Sequence, residues 1–213
     1  MERNGEVSAT LPRLCLVADG FAAGRRDLDA RAVQARTAEL VAAGLRWVWL
    51  RDVHAGAPAF DAAARRLAER LRELAPDVTL SVGAHAATAS ALDAVLHVGT
   101  RGDGADAAGA RGFGVSAHTP AEVADAALAG AAYATLSPIF PTQSHPAVTP
   151  LGLDALRAVS AASSVPVLAL GGLTPDGARR ARDAGAWGVA VLSDLLRAPR
   201  PVWRLDQYAA ALD

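Results

Sequence analysis

Residues 165–194, VPVLALGGLTPDGARRARDAGAWGVAVLSD, have the pattern of a strand, a helix and a second strand. The apolar runs VPVLALGG (165–172) and WGVAVLSD (187–194) are short, as buried strands are. Between them, an alanine-rich segment punctuated by arginine and aspartate predicts a helix at 175–184. This stretch is therefore one β/α unit followed by the strand of the next unit.

The same alternation runs along the whole chain. Eight strand candidates lie at 13–19, 46–51, 78–83, 95–99, 112–118, 133–140, 165–172 and 187–194. The clearest helices lie at 28–43, 59–74, 120–129, 151–162, 175–184 and 202–212, and weak helices are expected at 86–92 and 104–110.

Eight strand and helix units in 213 residues predict an α/β fold, a single (β/α)8 TIM barrel, because no change of composition marks a linker. We expect residues 1–12 to be a flexible N-terminal segment of this one domain. A doubly wound open sheet is the alternative, but VADGFAAG after the first strand lacks the spacing G-x-G-x-x-G. In a barrel, the chemistry belongs at the carboxyl ends of the strands.

The composition excludes several classes of protein. A hydrophobic content of 52%, a charged content of 20% and a net charge of -1 indicate a folded globular chain without the basic footprint of a nucleic-acid binder. No apolar run is long enough to span a membrane, and the first residues lack the apolar core of a signal peptide. We therefore expect a cytoplasmic protein with no nucleic-acid or membrane partner. A homo-oligomer is an open possibility, because Trp187 and Trp203 can pack between subunits or against the barrel.

Two residue types narrow the chemistry further. All 21 basic residues are arginine, which excludes Schiff-base aldolases, internal-aldimine enzymes and the lysine of a P-loop. The single cysteine, Cys15, lies in the apolar run LCLV and predicts a buried thiol. No pair of histidines has metal-ligand spacing, so no metal site is expected.

An anion site is expected where the seventh and eighth strands end. Gly171 and Gly172 let backbone N–H groups approach a phosphate, and Ser193 opens a short helix whose N-terminus favours negative charge. Turn glycines and an ordinary helix cap are the alternative explanation.

The fifth strand carries a candidate acid/base. Alternation in GVSAH places Gly114, Ser116 and His118 on one face, and a histidine can take and return a proton near neutral pH. The alternative is a hydrogen-bonded histidine that caps the helix beginning at TPAE, 119–122.

The proline-rich segment SPIFPTQSHPAVTP, 137–150, is a candidate lid in which Thr142 can hydrogen-bond a ligand. A solvated connector is the alternative, and it accounts for His145 better than catalysis does. His85 and His97 are interpreted as structural histidines, and His54 lies on a polar turn.

The motifs WLRD, LHVG, GVSAHT, SPIFPT with PLGL, and LALGGLTPDG with AVLS resemble those of the thiamine phosphate synthase superfamily, whose other branch is the TenI-like thiazole tautomerases. The resemblance covers residues 13–197 and implies a barrel that binds a thiazole phosphate. It implies that His118 is the acid/base, with Ser116 beside it and Arg51 facing the substrate. Thr142, Gly171, Gly172 and Ser193 match the thiazole-phosphate half.

The synthase branch uses Mg²⁺ and basic side chains to hold a departing pyrophosphate, and those residues are mostly replaced. The pattern Gln-x-Arg-x-Lys begins here with Trp49 and keeps only Arg51, and Trp49 fills space expected for the pyrimidine. The Asn-Asp pair becomes Gly83 and Ala84, and the next carboxylate, Asp103, lies one place late. Each such electrostatic contact is typically worth roughly 10²- to 10³-fold in rate.

These losses favour the tautomerase branch, an isomerase that moves a proton on a thiazole carboxylate phosphate so that the ring becomes aromatic, with no cofactor. The first alternative is a thiamine phosphate synthase, a transferase that would use Asp19 or Asp103 as Mg²⁺ ligands. The second is a catalytically inactive barrel that binds a phosphate ligand and acts on a partner protein. The third is an enzyme for another phosphate-bearing substrate.

Overall fold

A computed structural model of the protein describes residues 11–25, 27–100, 109–144 and 146–213. Eight parallel strands follow one another in sequence order around a closed barrel, with the last strand pairing with the first. The (β/α)8 TIM barrel predicted from the sequence is thereby confirmed. The strands are β1 (Leu14–Asp19), β2 (Trp47–Arg51), β3 (Thr79–Gly83), β4 (Val95–Val98), β5 (Phe113–Ala117), β6 (Tyr133–Leu136), β7 (Val167–Leu170) and β8 (Gly188–Val191).

The helices surround the barrel. Within the described ranges they are α1 (Ala30–Ala42), α2 (Ala57–Leu74), α3 (Ala86–Ala91), α4 (Pro120–Leu128), α5 (Gly152–Ala162), α6 (Pro175–Asp183), α7 (Ser193–Leu196) and α8 (Pro201–Leu212). The weak helix expected at 86–92 is present as α3. The one expected at 104–110 falls mainly on residues 101–108, outside the described residues. None of these eight helices combines the length and the apolar character that a membrane span requires.

Three of the strands, β6, β7 and β8, end two or more residues earlier than the sequence predicts, and the loops after the first two contact each other. The runs at 133–140 and 165–172 are apolar to their ends, but β6 stops at Leu136 and β7 at Leu170. Beyond these points the chain turns across the end of the barrel, where the N–H of Ile139 donates to the carbonyl of Leu170. The residues that follow both strands therefore form loops that contact each other at the mouth.

The side chains form two cores because successive residues of a strand point to opposite faces. The first core fills the barrel interior and contains Cys15, Val17, Trp47, Trp49, Val95, Tyr133, Leu168 and Ala190. The second lies between the barrel and the helices and includes Leu16, Val48, Leu50, Val82, Leu96, Leu136 and Val189. Cys15 is buried and burial raises the pKa of its thiol, in agreement with the predicted structural role.

Helix α4 begins where the sequence predicts, directly behind β5. Thr119 accepts a hydrogen bond from the N–H of Glu122 at 3.2 Å, and Glu122 accepts one from the N–H of Thr119 at 3.1 Å. This reciprocal pair is a capping box, which satisfies two N–H groups of the first helical turn. It fixes the turn that carries His118.

The end of the barrel opposite the mouth is closed by Trp187. Its Nε1 donates to the carbonyl of Leu11 at 3.2 Å, and the guanidinium of Arg13 lies 4.1 Å from its ring centroid. Leu11 is buried, so the end of the segment 1–12 that the sequence predicts to be flexible is packed against the barrel. Residues 1–10 lie outside the described residues. Trp187 thus packs against the barrel, whereas Trp203 on α8 is half exposed.

Candidate functional site

His118 follows β5 at the mouth of the barrel, and its ring is held by the end of the neighbouring strand. Nδ1 lies 2.8 Å from the backbone carbonyl oxygen of Ser137. A carbonyl oxygen can only accept, so Nδ1 carries the hydrogen and the neutral ring keeps a lone pair on Nε2. Among the described residues Nε2 has no partner, and the residue is exposed. The ring is therefore arranged to accept a proton at Nε2.

The helix cap behind this histidine uses its backbone. The N–H of His118 donates to Oε2 of Glu122 at 2.6 Å. The ring takes no part in the cap, since Nδ1 is directed at the end of β6. Capping of α4 thus leaves the imidazole available for another role.

Ser116 lies on the interior face of β5, as predicted, and contacts a second histidine. Its Oγ is 2.9 Å from Nε2 of His97, whose Nδ1 is 2.8 Å from the hydroxyl of Tyr133. His97 is buried, and desolvation, with a smaller contribution from the charge of Arg51, lowers its pKa from 6.5 to about 3. The imidazole of His97 is therefore neutral at physiological pH. His97, interpreted from the sequence as a structural histidine, therefore lies on the interior wall of the barrel directly below the mouth.

The hydrogen bonds continue from His97 into the barrel. The hydroxyl of Tyr133 is 3.1 Å from Oγ of Ser81. On its other side, this Oγ accepts a hydrogen bond from Nε1 of Trp47 at 2.9 Å. The ring of Tyr133 occupies the place of a side chain at Gly114, where a Cβ would lie 2.3 Å from the ring. Gly114 is thus explained by packing.

Trp49 occupies the corner between β2 and β3 at the mouth. Its ring centroid is 3.7 Å from that of His97, and its buried Nε1 has no hydrogen-bond partner in the described parts of the chain. A Cβ at Gly83 would lie 3.1 Å from that Nε1, so the indole uses the space beside Gly83. That the synthase branch binds its pyrimidine in this space stays a prediction.

Arg51 lies at the end of β2 in a cluster of three charges. Oδ1 of Asp19 is 2.7 Å from Nη1 of Arg51, and Oδ2 of Asp19 is 2.6 Å from Nη1 of Arg25. One carboxylate is shared by two guanidinium groups, so the cluster has a net positive charge. The side chain of Arg51 is 37% exposed and keeps donors for a ligand at the mouth.

The residues of this cluster do not fit the Mg²⁺ ion of the synthase branch. Both oxygens of Asp19 already accept from arginine, and the two guanidinium groups would repel a cation. Across the described parts of the chain, no three His, Cys, Asp or Glu side chains are grouped closely enough to hold a metal. Asp103, the other expected ligand, lies outside the described residues.

Asp52 is a loop-anchoring residue at the mouth that sequence reasoning missed. Its buried carboxylate accepts four backbone hydrogen bonds, from Ala22 at 3.0 Å, Ala23 at 2.7 Å, His54 at 3.0 Å and Ala55 at 3.0 Å. It therefore ties the loop after β1 to the loop after β2. An aspartate directly after a strand end, followed by a polar turn, is the signal that could have found it.

Gly171 and Gly172 lie against the loop that follows β6. Their φ angles are +95° and +66°, and a Cβ on Gly172 would lie 2.2 Å from the carbonyl oxygen of Pro141. A Cβ on Gly171 would lie 2.8 Å from Pro138. Close approach of two loops accounts for both glycines, and it brings their backbone against the loop that carries Thr142.

Ser193 is the first residue of α7, as predicted, but this helix has a single turn. The neighbouring Asp194 accepts a hydrogen bond from the hydroxyl of Tyr208 at 2.9 Å and is engaged by α8. In the loop after β6, Oγ1 of Thr142 accepts from the N–H of Ser144 at 3.3 Å. His145 lies outside the described residues.

Two other histidines have no part in this arrangement. The ring of His85 stacks on Phe60 with centroids 3.8 Å apart, which agrees with a structural role. His54 is exposed on the turn after β2.

One family model matches most of this chain, and the sequence relatives described here carry the corresponding name. The family model described as TMP-TENI, thiamine monophosphate synthase, matches residues 20–195. A thiamine-phosphate synthase of Koribacter versatilis is 38% identical over 172 residues, which cover 76% of this chain and 79% of that protein. One of Roseiflexus castenholzii is 36% identical over 197 residues, covering 87% and 82%. The structure of thiamine phosphate pyrophosphorylase from Pyrococcus furiosus has a TM-score of 0.79 at 21% identity, covering 100% of this chain and 98% of that one, and so shares the fold.

Proposed function

The chain belongs to the thiamine monophosphate synthase family, and we propose that within this family it is a thiazole tautomerase that shifts a proton on a thiazole carboxylate phosphate. The observation that carries the proposal is the ring of His118. Its Nδ1–H donates to the carbonyl of Ser137, which leaves Nε2 as the basic nitrogen at the mouth of the barrel, with no partner among the residues that the structure describes.

The reaction needs one group that both takes and gives a proton. Nε2 of His118 removes a proton from a carbon of the ligand, and the electron pair of the broken C–H bond enters the ring as it becomes aromatic. The imidazolium then returns the proton to a second carbon of the same ligand. Nothing else is gained or lost, so a single acid/base residue completes the cycle.

The two ends of the ligand are held on opposite sides of this histidine. The phosphate lies at the loops after β7 and β8, near the backbone of Gly171 and Gly172 and the start of α7 at Ser193, with Thr142 at its edge. The ring carboxylate faces Arg51, whose exposed donors lie beyond the ion pair with Asp19. The cytoplasmic location and the state of association stay predictions.

A thiamine phosphate synthase is the second candidate function, because the relatives of this chain bear that name. Two observations on its own residues count against it. Trp49 fills the corner between β2 and β3, and both oxygens of Asp19 are engaged by arginine.

Two assays on the purified chain test the proposal. The first supplies the non-aromatic tautomer of the thiazole carboxylate phosphate and follows the ultraviolet absorbance of the aromatic product; we expect turnover. The second supplies hydroxymethylpyrimidine diphosphate, thiazole phosphate and Mg²⁺; we expect no thiamine phosphate above background. Turnover in the second assay alone would make the chain a synthase. Ligand binding without turnover in either would make it a non-catalytic barrel.

A further inference from the structure

A chain of four side-chain hydrogen bonds crosses the interior of the barrel and ends at the mouth. It runs from Trp47 to Ser81 at 2.9 Å, to Tyr133 at 3.1 Å, to His97 at 2.8 Å and to Ser116 at 2.9 Å. The five residues belong to five different strands. The first four are buried, and Ser116 is half-buried at the end nearest the mouth.

The direction of this chain follows from the donors that each group possesses. An indole N–H can only donate, so Ser81 must accept from Trp47. If Ser81 then donates to Tyr133, Tyr133 donates to Nδ1 of His97, and Nε2–H of His97 donates to Ser116. Every hydrogen except that of Ser116, which is half-buried at the mouth, then has an acceptor within these hydrogen bonds.

The opposite direction leaves a buried hydrogen without an acceptor. If Tyr133 donates to Ser81, Oγ of Ser81 receives two hydrogen bonds, and its own hydrogen has no further acceptor among the described residues. An unsatisfied buried hydroxyl is unfavourable. A neutral imidazole also has only one N–H, so His97 cannot donate in both directions.

We infer that these hydrogen bonds hold Ser116 as a donor toward the ligand, with His97 as its positioning residue. The floor of the mouth, formed by Ser116, Trp49 and Arg51, then binds the carboxylate of the ligand. Ser116 accepts from His97 and has no other partner among the described residues, so its own hydrogen is directed at whatever occupies the mouth. The identity of the ligand group rests on the proposed function, whereas the direction of the chain does not.

The neighbours of Ser116 add donors to the same floor. Nε1–H of Trp49, which stacks on His97, is buried beside the last residue of β3 and has no partner within the described ranges. The charge of Arg51 lies close enough to His97 to lower the pKa of that ring. A floor that offers an O–H, an N–H and a guanidinium suits a group with only acceptors, and a carboxylate is such a group.

The first test reads the tautomer of His97 directly. The full chain is labelled with ¹⁵N-histidine, and the signal of His97 is assigned by its absence in a His97→Gln variant. We expect protonated Nε2 and unprotonated Nδ1, without titration between about pH 5 and pH 8. Protonation at Nδ1 would overturn the inference whether or not any ligand binds.

The second test uses two probes, a thiazole phosphate with the ring carboxylate and one without it, and measures their affinities by calorimetry. Ser116→Ala should weaken binding of the carboxylated probe roughly tenfold or more and that of the other probe by less than about threefold. Tyr133→Phe frees His97 to change tautomer and should reduce the preference for the carboxylated probe as well. Ser160→Ala on α5, remote from the mouth, is the matched control.

The outcomes separate the inference from the proposed function. An equal effect of Ser116→Ala on both probes, or no effect on either, would refute the donor role of Ser116. If the unaltered protein binds neither probe, the proposed function fails. The tautomer of His97 then decides by itself in which direction the hydrogen bonds run between Trp47 and Ser116.

Discussion

Replacement of His118 by asparagine tests the acid/base role while it preserves the hydrogen bond that holds the residue. The side-chain N–H of asparagine can donate to the carbonyl of Ser137 as Nδ1 does at 2.8 Å. A neutral hydrogen bond of this kind contributes about 1 kcal/mol, so the free energy of unfolding should change by less than about that amount. An amide cannot exchange a proton near neutral pH, so the rate of isomerisation should fall roughly 10²- to 10⁴-fold.

The assay compares kcat, from ultraviolet absorbance, with the affinity for the aromatic product, from calorimetry. Affinity should stay within a few-fold of the unaltered chain, because the proposed phosphate site is at β7 and β8 rather than at β5. His54→Asn, which changes an exposed histidine on a turn, is the matched control and should leave both quantities unchanged. An active His118→Asn variant would refute the acid/base role of His118. The base would then be another group, with His145 among the candidates.

Three further predictions concern the anion site and stability. Gly172→Ala places a Cβ 2.2 Å from the carbonyl oxygen of Pro141. It should lower the free energy of unfolding, measured by urea denaturation, by roughly 1–3 kcal/mol and should weaken binding of a phosphate ligand. The control Gly44→Ala, at φ +116° in open space, should lower the free energy of unfolding by only about 1 kcal/mol. Ser193→Asp should abolish binding of a phosphorylated ligand in calorimetry, because a carboxylate there repels the phosphate; unchanged affinity would place the phosphate elsewhere. The pKa of His97 falls from 6.5 in the unfolded chain to about 3, so the unfolded state binds more protons between these values. The free energy of unfolding should therefore rise with pH through that window, by up to about 1.4 kcal/mol per pH unit relative to a His97→Gln variant.

The fold could be predicted because every unit of the chain repeats one pattern. The fifth strand, expected at 112–118, is found at Phe113–Ala117, and the helix after it begins at its capping box. The ends of β6 and β7 could not be placed, since apolar residues continue past them. What stops these strands is the contact between their two loops, which brings together residues more than 30 positions apart.

The sequence predicts side-chain placement that depends on one strand, but it misses contacts that depend on several strands. Alternation alone put Ser116 and His118 on one face of β5. The role of His97 depends on Tyr133 from β6 and Ser116 from β5, and no local pattern shows that these hydroxyl groups meet its two nitrogens. A lone histidine in an apolar run has the same appearance whether it is a packing residue or the centre of a network.

The carboxylate of Asp52 has a consequence for engineering this barrel. Because it joins two loops that are separate in sequence, an insertion or a new pair of chain ends in either loop would release N–H groups of both. Circular permutants opened between β1 and α1 should therefore fold poorly. Openings at the turn of Gly44, which has free space around it, should be tolerated. Directed evolution of the mouth should accordingly leave Asp52 fixed and vary the exposed loop after β6.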